Sequence, residues 1–173
     1  MINYKEKLSE ITTLIFDFDG VLSDGKVLVL PDGEQLRMTN VRDGYALQLA
    51  IKKGLNIAII SGGRSISMQK RFESMNLTDI YLGIDNKMKT FHEYLNKINV
   101  NPENVIYMGD DIPDYYVMKE SGLAVCPANA AEEIKAISHY ISKFNGGDGC
   151  ARDIIEQVLK VKNMWFDDEA FTW

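Results

Sequence analysis

This chain is poor in the features that would tie it to an oxidising compartment, a membrane or a polyanion. Its two cysteines, Cys126 and Cys150, have no Cys-x-x-Cys spacing, which makes them buried thiols of a reducing compartment rather than a disulfide framework. No apolar run approaches a membrane span, and residues 1–7 carry no apolar signal core, so a cytoplasmic location off the membrane is expected. A formal net charge of -6 argues against general nucleic-acid affinity while leaving room for a local basic pocket. Internal repeats, low-complexity tracts and linkers are absent. The two histidines, His92 and His139, have no ligand cluster nearby in sequence and receive no role. What is left is 173 residues at 46% hydrophobic content, the size of one domain, 1–173, with material for a three-layer core.

What is there is an alternation of short apolar runs with amphipathic stretches. Residues 12–16 read as a strand buried on both faces that ends in Asp17-Phe18-Asp19-Gly20. Residues 26–30 and 35–40, around Pro31-Asp32-Gly33, read as a β-hairpin flap beside those carboxylates. A helix from Val41 buries Leu47, Ala50 and Ile51 and stops at Gly54. Strand 56–60 leads through Ser61-Gly62-Gly63-Arg64-Ser65 into a helix with Met68, Phe72 and Met75 inward. Strand 80–82 precedes a helix that starts at Lys87 and buries Met88, Phe91, Leu95 and Ile98. Strand 105–108 ends in Gly109-Asp110-Asp111-Ile112-Pro113-Asp114. Strand 123–126, a helical 130–136 and a possible strand 139–141 follow, then a glycine-rich loop and a last helix with Ile154, Ile155, Val158 and Leu159 inward. The tail, about 163–173, mixes aromatics with acids and is expected to dock. Such alternation specifies an α/β fold, a doubly wound parallel sheet with helices on both faces.

The loaded segments all fall at carboxyl ends of strands, where open α/β sheets keep their ligand crevice. Each has a bland alternative: Asp17 and Asp19 as turn caps, Ser-Gly-Gly as a plain turn, Lys87 as a solvated surface lysine. A lysine at a helix amino terminus opposes the dipole, however, and acids crowded at a strand end repel one another without a cation. A hydroxyl and free N–H groups ahead of a helix form an anion cradle.

In the order Asp-x-Asp, Ser, Lys, Gly-Asp-Asp-x-x-Asp, the four segments resemble the haloacid dehalogenase superfamily, in particular its phosphatases, from residue 12 to about 160. Phosphomonoester hydrolysis needs a nucleophile, charge neutralisation and a proton for the leaving group. Asp17 is the candidate nucleophile and Asp19 the general acid and base. The resemblance implies Mg2+ held by Asp17, Asp110 and the backbone carbonyl of Asp19. Ser61, Gly62 and Lys87 would hold the phosphoryl oxygens, and Asp111 or Asp114 would position the lysine from behind.

Neither 20–61 nor 87–109 leaves room for a cap domain. The chain thus resembles the capless, tetrameric subgroup acting on phosphorylated keto-deoxy sugar acids of eight or nine carbons, which share active sites between subunits through hairpin and tail. The segments 17–25, 40–44 and Gly146-Gly147-x-Gly149-x-x-Arg152 carry that likeness. Asn40, Arg42, Asp43, Gly44, Arg64 and Arg71 are the candidate sugar-acid contacts, the arginines for its carboxylate. The chain departs from the subgroup at Gly63, where the usual segment reads Thr-Gly-Arg, and at Gln48. Two other classes compete: a phospho-receiver domain, whose acceptor Asp should end the third strand where Gly83 stands, and a non-catalytic assembly module.

Overall fold

A computed structural model describes residues 3–172; Met1, Ile2 and the tail's Trp173 lie outside the described residues. The first half runs α1 (Tyr4–Lys7), β1 (Thr13–Phe16), β2 (Leu28–Val29), β3 (Gln35–Leu36), α2 (Val41–Lys52), β4 (Asn56–Ser61), α3 (Ile66–Glu73) and β5 (Asp79–Leu82). The second half runs α4 (Lys87–Ile98), β6 (Val105–Met108), α5 (Tyr115–Glu120), β7 (Leu123–Cys126), α6 (Glu132–Ile137), β8 (Tyr140–Ile141) and α7 (Cys150–Val161).

Alternation along the central strands builds the layers. Leu14, Phe16, Ile57, Ile59, Ile106 and Met108 face the core shared with α2, α3 and α7. Ile15, Ala58, Ile60, Val105 and Tyr107 face the core shared with α4, α5 and α6. Apolar on both faces, these strands are stable only when covered on both sides, with each fully buried Leu, Ile or Phe side chain contributing about 1.5–3 kcal/mol. The six strands of the sheet are parallel, in the order β5-β4-β1-β6-β7-β8. The chain moves outward from β1 through β4 and β5, then returns to β6 on the other flank of β1. That reversal opens a crevice beyond the carboxyl ends of β1 and β6. Phe16 is level with Met108 across the pair, so Asp17 and Asp110 emerge on opposite lips of the crevice.

Side chains fix where the helices begin. Asn40 accepts the Arg42 N–H for α2, Ser65 the Met68 N–H for α3, and Asn86 the Lys89 N–H for α4. The structure departs from the sequence expectation in places. The hairpin strands are two residues each, with only Leu28↔Leu36 and Val29↔Gln35 paired, because a ribbon with no sheet beneath it has no buried face to extend its register. An isolated bridge, Ser23↔Thr39, ties its base to the first acidic loop. Met75 is buried beyond the end of α3, and helix 130–136 is displaced to Glu132–Ile137. A short α1 was not anticipated.

The tail docks on its own chain. Trp165 packs edge-on to Tyr45, and the Arg152 guanidinium lies over both rings. The Tyr45 hydroxyl donates to the Ala170 carbonyl, and Lys53 Nζ reaches Asp167 at 2.6 Å and also Glu169.

Candidate active site

Asp17 continues the β1 line, its N–H donating to Met108 O at 2.9 Å. The Phe18 N–H donates to its Oδ1, and Lys87 Nζ donates to its Oδ2 at 2.7 Å. Lys87 is the first residue of α4 and also donates to Asp114 Oδ1 at 2.7 Å. Asp114 is fully buried and saturated: the Tyr107 hydroxyl donates to the same oxygen at 2.9 Å, and the Asp110 N–H to Oδ2 at 3.3 Å. The structure thereby chooses between the two candidates for the lysine's anchor. Asp111 is exposed and accepts only its local Ile112 N–H among the described bonds. Tyr107 was missed; its strand position read as core, and nothing in sequence separates a core tyrosine from one whose hydroxyl holds a buried acid.

Burial lowers the affinity of Lys87 for its proton, yet Asp114 and Asp17 more than offset this and hold it above the ordinary lysine value. Asp17 is pushed up by burial and then by Asp114, with Lys87 pulling the other way. Burial, then Asp17 and Asp114, push Asp110 up to about 7. Oxygens of Asp17, Asp110 and Asp114 lie within 4.8 Å of one another, and Asp110 Oδ1 is buried with no hydrogen-bond partner. A buried, unpaired carboxylate oxygen in an all-oxygen cluster fits a hard divalent cation. Asp114 takes three donors and Asp17 two, so Asp17 and Asp110 have the most acceptor capacity left for such an ion. Gly20 makes the approach possible: at φ +87°, it lies so close to Asp110 that a Cβ there would sit 2.0 Å from Oδ2.

Asp19 is held differently. Arg37, from the far side of the hairpin, grips its carboxylate with two donors at 3.0 Å each, and Ser23 Oγ donates at 3.3 Å. Both oxygens of its side chain are thus engaged. Arg37 was absent from the sequence-based candidates, because the hairpin's residues gave no sign of which one turns toward the acids. Ser61, the last residue of β4, is buried, and its Oγ accepts the Gly63 N–H at 3.3 Å. Asp17, Asp19, Ser61, Gly62, Lys87 and Asp110 converge on a cavity of about 660 Å³.

The expected sugar-acid contacts scatter. Arg64 borders a second cavity, about 920 Å³, that continues from Gly62 and Gly63 beneath the hairpin tip. Asn40 caps α2 and donates to Gly147 O at 3.4 Å. Asp43 is buried and accepts the Gly149 and Arg152 N–H groups at 3.2 and 2.7 Å, so it fastens α7 rather than a ligand. Gly44 packs against Met75 and Arg71. Arg42 lines a separate cavity with Lys143 and Arg152. The corrections at Asn40 and Asp43 share one cause: the polar groups at the start of α2 meet the glycine-rich loop and α7, which use their hydrogen bonds.

Known proteins resemble this chain in sequence and in fold. The haloacid dehalogenase-like hydrolase family profile matches residues 71–154. The 3-deoxy-D-manno-octulosonate 8-phosphate phosphatase of Yersinia pestis is 36% identical over 154 residues, covering 89% of this chain and 82% of the relative. The crystal structure of the Moraxella catarrhalis enzyme of that name, in complex with magnesium ion, phosphate ion and KDO, superposes with a TM-score of 0.90 at 30% identity, covering 94% of both chains. The cobalt-bound form of the Haemophilus influenzae phosphatase gives 0.90 at 26% identity, over 95% of this chain and 98% of that one. An acid cluster at the switch point, a buried lysine bridging it and this degree of likeness together place the chain in the haloacid dehalogenase superfamily, among the 3-deoxy-D-manno-octulosonate 8-phosphate phosphatases.

Proposed function

We propose that the chain hydrolyses 3-deoxy-D-manno-octulosonate 8-phosphate to the free sugar acid, a lipopolysaccharide component, and phosphate, with Mg2+, through an aspartyl-phosphate on Asp17. The observation that carries this reading is the aim of Asp17: buried at the switch point, oriented by Lys87 and the Phe18 N–H, and open to the cavity that Ser61 and Gly62 close from the other strand. Asp17 attacks phosphorus, splitting one hard displacement into two. Asp19 gives a proton to the departing sugar oxygen and later takes one from the attacking water. Ser61, Gly62 and Lys87 hold the phosphoryl oxygens while charge shifts onto them. Asp17, Asp110 and the Asp19 carbonyl would hold Mg2+, which supplies neutralisation of the phosphoryl charge.

The second cavity, about 920 Å³, supports as an alternative a nine-carbon sugar acid 9-phosphate. Leu28, Val29 and Met38 on the hairpin are exposed, which supports a homotetramer whose subunits cover one another's sites. Among the described residues no helix is long and apolar enough to cross a membrane, in keeping with a cytoplasmic enzyme. Gly83 follows β5, so a receiver domain's acceptor is missing there. The deciding experiment compares kcat/KM for eight- and nine-carbon sugar acid phosphates and simple hexose phosphates with Mg2+. Preference for the eight-carbon substrate is expected. Better turnover of hexose phosphates defeats the substrate reading, and no turnover of any phosphomonoester leaves an assembly module.

A further inference from the structure

The Asp19–Arg37 pair is an odd construction for a catalytic acid. Arg37 Nε and Nη2 hold the two carboxylate oxygens in the parallel fork that guanidinium makes with a carboxylate, and its third nitrogen, Nη1, rests on Gln35 O at 3.1 Å and Arg64 O at 3.5 Å. The arginine side chain is 3% exposed against 31% for Asp19, so a nearly dry guanidinium is delivered by a ribbon with two paired positions and one bridge. A contact needed only to fasten the flap has no call for a buried guanidinium on a catalytic carboxylate.

The place matters as much as the pairing. Gly62 and Gly63 line both the phosphate cavity and the cavity beneath the hairpin. A Cβ on Gly63 would lie 2.7 Å from Asp19 Oδ2 and 3.3 Å from Arg37 Nη2. The bare backbone at Gly63 is therefore what admits the Arg37 guanidinium to the junction. The hairpin thereby adds a second positive charge beside Arg64 of the β4 loop.

We propose that Arg37 reads the carboxylate of the substrate, and that in the free site Asp19 stands in for that carboxylate. The inference rests on the sugar-acid reading given above. On binding, the fork passes from Asp19 to the substrate's carboxylate in the second cavity. Asp19 stays anchored by Ser23 Oγ, with its oxygens released toward the leaving group. Recognition of an acid and readiness for turnover are thereby one event: a phosphate ester without a carboxylate finds Asp19 still gripped.

The test uses Arg37→Gln and Arg37→Lys in the full chain with Mg2+, each checked for folding by its thermal midpoint. The readout is the ratio of kcat/KM on 3-deoxy-D-manno-octulosonate 8-phosphate to that on p-nitrophenyl phosphate, which has no carboxylate. The ratio should fall about 30-fold in Arg37→Gln, as expected for losing one charge-assisted contact, with part of it restored in Arg37→Lys. A ratio unchanged from wild type, whether both rates drop or neither does, overturns the inference and leaves Arg37 as a flap fastener. Wild-type enzyme that cleaves p-nitrophenyl phosphate but no sugar acid phosphate refutes the substrate reading itself, and the inference with it.

Discussion

Two lysines in this molecule each bridge a pair of carboxylates, and they do opposite things. Lys87 joins Asp17 and Asp114, whose side chains are 10% and 0% exposed; Lys53 joins Asp167 and Glu169, at 41% and 62%. Around Lys87 burial removes the water that would share the charges, so Asp17, and Asp110 beside it, are pushed up out of the usual carboxylate range. The arrangement is the one on which the proposed chemistry rests. Around Lys53 the acids remain in water, and the triad is a surface clasp for the tail, of the kind that adds little to stability. Equal charge counts with unequal solvation separate chemistry from fastening.

Substitutions can break the comparison in order of size. Asp17→Asn should reduce kcat on a phosphomonoester by at least about 10⁴-fold, measured under saturating Mg2+; retention of a tenth of the rate would show that another group attacks. Asp114→Asn should weaken Mg2+ by about 10–100-fold, as loss of an outer partner does, read from activation by titrated metal. Tyr107→Phe takes one hydroxyl from Asp114 and should lower kcat by about 3- to 10-fold, the scale of one neutral donor. Asp43→Ala deprives the Gly149 and Arg152 N–H groups, at the entry to α7 and in its first turn, of their acceptor and should cost about 1–3 kcal/mol in urea unfolding, while the preference among substrates is kept. The smallest effect belongs to Lys53→Ala, which should leave turnover intact and lower the thermal midpoint only slightly; a large loss of activity there would erase the distinction between the two triads.

The strands at 105–108 and 123–126 were readable in the sequence to the residue, and Ile154, Ile155, Val158 and Leu159 are buried as their spacing demands. Continuous apolar runs between glycine and proline signals leave the backbone little alternative. The hairpin was legible as a turn and illegible as a length, because its extent depends on what it packs against. The contrast repeats within the site. Asp17, Asp19, Ser61, Lys87 and Asp110 stand at strand and helix ends, where topology aims a side chain without help from its neighbours. Asn40, Asp43 and Gly44 occupied a segment with the right resemblance, yet their roles turned on which other element came to rest against them.

By itself, then, the order of residues determined the alternating elements, the parallel sheet and the rim on which the acids and the lysine gather, since each follows from local apolar period and the handed crossover of strand to helix. Only the tertiary structure decided that Asp114 rather than Asp111 holds Lys87, that Tyr107 backs Asp114, and that Arg37 crosses from the hairpin to Asp19. Those choices depend on distances between side chains remote in sequence and on which of them is deprived of water, and neither is written in any one stretch of the chain.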